Sequence, residues 1–504
     1  MFLSFQLLLF PFILLLFLIP FKWLSSKTHK NPPPSPRKFP IIGNLHQLGS
    51  NPPRSLQALS QKHGPLMLIH LGNVPVLVVS SAEAAREIYK THDLIFSGRP
   101  QLSIPGKLLY GFKDIGFAPY GEYWKQVRSI AVIHLLSQKR LQSFRQVREQ
   151  ETILMINTIK ESCGSVFDLS ELVVSLTNNI ICRAALGRTY KGFNFKDLLL
   201  RFQHLLGVMS VGSYIPWLSW VDWLRGRLDE KTNKVAKELD EFLEGVIVEH
   251  VIKSAKVDNV DGGNDQCRDF VDILLNVQKE NTTEFTFERD TVKALILDVF
   301  TGGTDTTSTS IEWALCELIR HPEVMKELQK EVTNIAQGRS MITEDDTREM
   351  HYLKAVLKET LRLHTPLPLL IPRESTQYVK LLGYDIAKGT QVMVNAWAIA
   401  RYPSIWEEPE KFKPERFLES SIDYKGLHFE FLPFGAGRRG CPGIQFSIAI
   451  NELALANIAY RYNLALPNEG RPEELDMSEI SGLTHHKKSH LLVVATPRIT
   501  SVKT

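Results

Sequence analysis

The ten residues Phe434-Gly435-Ala436-Gly437-Arg438-Arg439-Gly440-Cys441-Pro442-Gly443 constrain this chain more than any other stretch. Glycines at 435, 437 and 440 give tight turns and close backbone approach. Pro442 suits the first position of a helix, and Ile444 to Tyr460 carries a helical pattern. Cys441 is therefore expected near the positive end of that helix's macrodipole, which favours an ionised sulfur. A thiolate held there can ligate a metal such as iron.

Simpler readings compete with this one. A free cysteine is most often a small buried hydrophobe. Gly435-x-Gly437-x-x-Gly440 also matches a dinucleotide fingerprint, with Phe429 to Pro433 as a possible preceding strand. A dinucleotide site needs an acidic residue at the end of a second strand about twenty residues on. Glu452 instead falls inside a helical pattern. The consecutive Arg438 and Arg439 can bind phosphate, or equally the propionates of a haem.

Length and charge exclude some classes. The 504 residues, 44% of them hydrophobic, are enough for a sizeable core. A formal charge of +4, with no long basic run and no basic patch interleaved with aromatics, gives no ground for nucleic-acid binding. The five cysteines, at 163, 182, 267, 316 and 441, are odd in number and form no CxxC pair. Neither a zinc site nor a disulfide framework is indicated, which suits a reducing compartment. The sequon Asn281-Thr282-Thr283 is expected to be silent there.

The first residues are expected to meet a membrane. Phe2 to Ile19 is almost wholly apolar and, as a helix, roughly 27 Å long, near the thickness of a bilayer core. It has no positive n-region and no small-x-small cleavage site, so an anchor over residues 1–21 is favoured over a cleaved signal peptide. Lys22, Lys27, Lys30, Arg37 and Lys38 follow it, and the positive-inside rule leaves the rest cytosolic. Pro32-Pro33-Pro34-Ser35-Pro36 makes residues 22–40 a basic, stiff hinge. Beyond it, no linker interrupts residues 41–504, which read as one helix-dominated domain.

Strand pairs are predicted for Leu66 to Leu71 with Val74 to Ser80, and for Val379 to Leu382 with Gln391 to Asn395. Helices are predicted over Gly121 to Leu136, Thr291 to Arg320, Glu323 to Ile335 and Tyr352 to His364. The second of these holds Thr301-Gly302-Gly303-Thr304-Asp305-Thr306-Thr307, a run of poor helix formers. It reads as a loop between shorter helices, as a site of close helix packing, or as a place where a flat ligand approaches the backbone. In the last case Thr306 bends the ladder by bonding a carbonyl, and Asp305 and Thr306 offer an acid and a hydroxyl for a proton relay.

Further pairs have bland and functional readings. Glu359 and Arg362 share a helix face, ordinarily a solvated pair. Arg416, in Pro414-Glu415-Arg416-Phe417, can join them in a buried network. Trp124 and Arg128, four apart, are either a simple cation–π pair or part of a site.

In this order and spacing the motifs resemble the cytochrome P450 superfamily, specifically the microsomal A-type plant enzymes of specialised metabolism. The cysteine segment fills F-x-x-G-x-R-x-C-x-G in full at Phe434, Gly437, Arg439, Cys441 and Gly443. Gly302 to Thr307 matches the oxygen-activation motif, Glu359-x-x-Arg362 the helix motif and Pro414 to Phe417 its partner. The resemblance implies a mainly α fold with small β-sheets behind the anchor helix.

It also implies a monooxygenase carrying haem b (iron protoporphyrin IX) on Cys441, flanked by Phe434 and Gly435. Trp124, Arg128, Arg373 and Arg439 are the implied partners of the propionates, and thiolate donation favours O–O cleavage of bound O2. Asp305 and Thr306 are the implied proton donors. Electrons are implied to come from NADPH through a membrane-bound cytochrome P450 reductase. Lys125, Lys139, Arg140 and Arg438 can dock its acidic surface, or can be merely solvated. The endoplasmic reticulum is the implied location.

Pocket walls are implied in the loop from Pro100 to Ala118, at Val299 and Phe300, along Leu367 to Ile371 and around Ile480 to Leu483. These apolar stretches suit a small lipophilic substrate: a terpenoid first, then a coumarin, another phenylpropanoid or an alkaloid. Two alternatives stand beside this: a nicotinamide dehydrogenase built on the glycine loop, and a haem isomerase that does not oxygenate.

Overall fold

The computed structural model describes residues 31–190, 195–224, 226–257, 268–280 and 286–498. The expected anchor, the hinge up to residue 30, Cys267 and the sequon lie outside the described residues. Among the described residues no single helix is long and apolar enough to cross a membrane.

One long central helix organises the rest. It runs through Arg289–Phe300, a π turn over Thr301–Asp305, and Thr306–Arg320 without a loop. Its flanks are buried on nearly every side, packed by the helices Leu169–Leu186, His351–Leu363 and Ile444–Arg461. That tertiary packing outweighs the weak propensity of the Thr-Gly-Gly-Thr run, so the ladder widens instead of breaking. Side-chain hydroxyls occupy carbonyls the distorted turn exposes: Thr301 donates to Leu297 at 2.7 Å and Thr306 to Gly302 at 2.6 Å.

The strands Leu66–Leu71 and Val74–Val79 pair antiparallel, as predicted. The second predicted pair differs. Gln391–Val394 is buried at all positions and lies inside a four-stranded sheet, parallel to Val74–Val79 and antiparallel to Arg373–Glu374. A strand buried on both faces belongs in the sheet interior. Val379–Leu381 instead pairs with Tyr384–Ile386 across Leu382 and Gly383, both at positive φ, the geometry of a tight hairpin turn.

The Glu359–Arg362–Arg416 set is a buried network. Arg362 meets both Glu359 oxygens at 2.7 and 2.8 Å, and Arg416 adds a third bond at 2.9 Å. Arg362 also donates to the carbonyls of Ala400 and Pro409, so each charge is paired or hydrogen-bonded. The network ties the helix His351–Leu363 to the chain leading towards the cysteine loop.

Candidate functional site

Cys441 lines a cavity that is also walled by the central helix around Gly302 and Thr306. The cysteine loop is held by backbone and side-chain bonds together. The Cys441 amide donates to the Phe434 carbonyl at 3.0 Å, and Arg128 donates to the Gly440 carbonyl at 2.6 Å. Phe434 and Gly435 line the cavity, with Gly435 at φ 65. The helix after the loop begins at Ile444 with Gly443 as its cap. Pro442 therefore precedes the cap rather than filling the first helical position, contrary to the sequence expectation, because the turn that aims Cys441 uses one more residue.

The sulfur is open to the cavity. Burial pushes the Cys441 thiol up, against the Gly443 amide and the Arg128 charge, which pull it down. The helix dipole is expected to favour the ionised sulfur, but desolvation outweighs the groups that favour the thiolate. A coordinated metal does, because a coordinating thiol is deprotonated outright.

Beside Cys441 the guanidinium groups of Arg99, Arg128, Arg373 and Arg439 border the same cavity. Arg439 donates to the carbonyls of Ser97 and Ala118, and Arg373 to that of Ala436 and to the Asp93 carboxylate at 3.0 Å. Arg99 donates to Gly116, Ile371 and Pro372. Desolvation and the other arginines lower Arg439 to about 9 and hold Arg99 well below its ordinary range. Asp114, the nearby counter-charge, is itself raised by burial to about 6. Four guanidinium groups against the carboxyls of Asp93 and Asp114 leave an excess of positive charge, which suits a ligand with more than one carboxylate.

Trp124 sits differently from expectation. Its indole N–H donates to the Ile115 carbonyl at 3.0 Å, and it is not among the cavity-lining residues. Arg439 and Arg128 lie 4.1 and 5.5 Å from its ring, so the indole steers the two arginines from behind.

On the central helix, Gly302 and Thr306 face the cavity. A Cβ at Gly302 meets nothing within 4 Å, whereas one at Gly303 meets Ile181 Cδ1 at 2.7 Å. Both readings of the glycine pair hold: Gly302 and Gly303 both line the cavity, Gly302 with open space where a side chain would stand and Gly303 packed closely on Ile181, itself a lining residue. A haem needs a thiol, a cationic edge and a flat approach to the helix wall, and the residues present fit it. Asp305 is not in the cavity wall. Its carboxylate faces His486, 3.3 Å away.

Of the expected pocket walls, Ile115 to Phe117, Val299, Leu367, Leu370, Ile371 and Leu483 line the cavity. Phe300 does not; it is buried edge-on against Phe195. Ile480 is half exposed and lies away from it. Of the docking candidates, Lys125 pairs with Glu122 and Arg438 with Asp93. Lys139 and Arg140 stand on the short helix Gln138–Ser143. Sequence reasoning missed Arg99, Asp93 and His486. Arg99 adjoins the expected wall loop, but nothing in Ser97-Gly98-Arg99-Pro100 sets it apart.

The dinucleotide alternative is overturned. Phe429 to Pro433 forms turns, not a strand, because Phe431 is drawn into an aromatic cluster with Trp406 and Phe417. Glu452 is buried within the helix Ile444–Arg461. No strand–loop–helix unit surrounds the glycines.

Comparison with known proteins agrees with this geometry. The family model described as Cytochrome P450 matches residues 33–494. A 3-beta-hydroxylase of Tanacetum parthenium is 55% identical, covering 99% of this chain and 100% of that protein. A psoralen synthase of Ammi majus is 50% identical, covering 97% of each. Among solved structures, a zebra fish cytochrome P450 determined with progesterone superposes with a TM-score of 0.75 at 26% identity, over 88% of this chain and 99% of that one. With the family model matched over residues 33–494 and relatives at 50–55% identity along nearly the whole chain, the chain belongs to the cytochrome P450 family of monooxygenases.

Proposed function

We propose that this cytochrome P450 oxidises, chiefly by hydroxylation, a small lipophilic plant specialised metabolite. A terpenoid is the first choice, with a coumarin, another phenylpropanoid or an alkaloid next. The observation that carries this reading is the pairing of Cys441 and its arginine edge with an apolar wall of Ile115, Val299, Leu367, Leu370 and Leu483 in one cavity. Relatives at similar identity carry different activities, among them a 3-beta-hydroxylase, a norfluorocurarine oxidase and a psoralen synthase, so the apolar wall is the support for a lipophilic substrate.

The haem supplies activation of O2 for transfer of one oxygen atom to the substrate. The protein's own residues do the rest. Cys441 gives up its proton to serve as the ligand. Arg99, Arg128, Arg373 and Arg439 hold the carboxylates, with Trp124 fixing two of them in place. Gly302 keeps the helix wall open, and the apolar residues exclude water. Thr306 offers its hydroxyl to the cavity, and Asp305, adjacent in the chain, is the acid from which that hydroxyl is replenished.

Electrons come from NADPH through a membrane-bound flavoprotein reductase, docked at Lys125, Lys139, Arg140 and Arg438. The protein works at the endoplasmic reticulum membrane, with residues 1–21 as its anchor and the catalytic domain in the cytosol. In support, Trp217, Trp220, Trp223 and Leu224 are exposed, as are Phe39 and Ile41. The two segments pack on one small core through Ile42, Tyr214, Ile215 and Leu218. Exposed tryptophans on short helices suit a bilayer interface.

The test is a product screen of anchored protein plus reductase against a lipophilic metabolite library. It is preceded by the carbon monoxide spectrum of the reduced protein. The thiolate-shifted Soret band is expected in the wild type and lost in Cys441→Ala. No oxidised product from any lipophilic class overturns the substrate assignment.

A further inference from the structure

Asp305, Thr309 and Glu312 fall at i, i+4 and i+7 on the central helix and share one face. The short strand His486–Lys487 packs against that helix. His486 bridges the first two residues, with Nε2 3.3 Å from Asp305 Oδ1 and Nδ1 3.0 Å from Thr309 Oγ1. The Asp305 side chain is only 10% exposed and the His486 side chain 40%. The imidazole thus joins a buried carboxylate, one residue from the hydroxyl in the cavity wall, to solvent.

We propose that His486 is a positioning residue that admits protons: it holds the Asp305 carboxylate outside the cavity and hands it a proton taken from water. In the transfer the imidazolium Nε2–H bond breaks as an Asp305 O–H bond forms, and solvent re-protonates the neutral imidazole. Asp305 then carries the proton towards Thr306. This inference rests on the reading of Asp305 and Thr306 as the proton donors.

The groups around the imidazole favour its charged form. Asp305 and Glu312 approach from the central helix, with Ser170 of the neighbouring helix hydrogen-bonded to Glu312. His485 precedes it and Lys487 follows it in the chain, and the paired strand brings Glu479 opposite Lys487. His490, bound to Asp168, lies beyond. Burial works against the charge on His486, but the Asp305 hydrogen bond and the two carboxylates outweigh it, and the group titrates above the ordinary histidine range. Lys487 is turned away, donating to Ser489.

The experiment uses the haem-loaded full chain with reductase and no added substrate. It reads hydrogen peroxide released per NADPH consumed across about pH 6 to 9, a window that takes in the ordinary histidine range and the region above it. Faulty proton delivery is expected to raise that fraction. His486→Ala should raise it several-fold and remove the pH inflection. His486→Arg, whose guanidinium can pair with Asp305 but does not release its proton, should also raise the fraction and flatten the profile. A second readout is independent of turnover: NMR titration of imidazole-labelled protein in the carbon monoxide form, where Asp305→Asn should lower the His486 midpoint. If His486→Ala does not hold haem, His486→Gln is scored instead, with raised peroxide and a flat profile expected. A raised peroxide fraction in Asp305→Asn, with His486→Ala behaving as wild type at every pH, overturns the inference and leaves the donor reading standing. Unchanged peroxide in Asp305→Asn and Thr306→Ala overturns both.

Discussion

Asp93 occupies the space that a side chain on residue 437 requires. A Cβ on Gly437 collides with the Asp93 carboxylate and stands 2.7 Å from the Tyr89 carbonyl, and the backbone there is at φ 68. The same carboxylate accepts from Arg373 and from the Arg438 amide. The cysteine loop and the arginine edge are therefore set by one acidic residue far away in sequence.

Gly437→Ala is accordingly expected to displace the loop, at a cost of about 1–3 kcal/mol in strain. Asp93→Asn should loosen the same loop less, since it keeps an acceptor. Haem content per mole of purified protein is the measurement, with Gly437→Ala lower than Asp93→Asn and both below wild type.

Breaking the buried network should act on stability, not on the cavity. Arg362→Ala leaves Glu359 with only Arg416 and the Lys413 amide, and abandons carbonyls at Ala400 and Pro409. Loss of one partner of a buried ion pair costs about 3–5 kcal/mol. Urea unfolding should reveal a shift of that size. Arg438→Ala, at the exposed rim, should shift the midpoint far less.

Glu452 supplies a pH test with a defined sign. It is buried on the helix Ile444–Arg461, and desolvation raises its carboxyl to about 7, against the pull of Lys354 and Thr347. A raised carboxyl contributes stability that is fully present below the unfolded value near 4.5 and is lost as pH rises through about 7. Glu452→Gln does not titrate. Melting temperatures should show the variant gaining on the wild type between pH 4.5 and 7.5 (roughly the window of that shift), and a constant difference across the window would count against the buried acid.

What could be read in advance follows the range of the forces involved. The helix boundaries, the first hairpin and the Glu359–Arg362–Arg416 set came from local periodicity and motif spacing. Gln391–Val394 was assigned the wrong partner because its neighbour is set by burial on both faces, which no local pattern carries. For Trp124, spacing gives only the pairing with Arg128, which the structure bears out, while its place beside the propionates is implied by family resemblance alone. Its indole N–H goes to Ile115, a contact between a helix and a loop nine residues away. Arg99, Asp93 and His486 escaped for the same reason: each acts on a residue distant in sequence, at 439, 437 and 305 respectively.

The two glycines of the central helix should separate cleanly under substitution. At Gly303 an added Cβ meets Ile181 at 2.7 and 3.2 Å, in the buried contact with the helix Leu169–Leu186. Overpacking of that kind costs about 1–3 kcal/mol, so Gly303→Ala should lower the melting temperature, and Ile181→Val in the same chain should restore much of it. At Gly302 the added methyl meets nothing and points into the cavity. Gly302→Ala also gains helix propensity, so its melting temperature should equal or exceed the wild type. Its effect should fall on the haem: a shifted Soret maximum and weaker binding of azole ligands, since the wall now stands one carbon closer. If Gly302→Ala destabilises the fold while Gly303→Ala leaves it intact, the facing of the π turn is reversed.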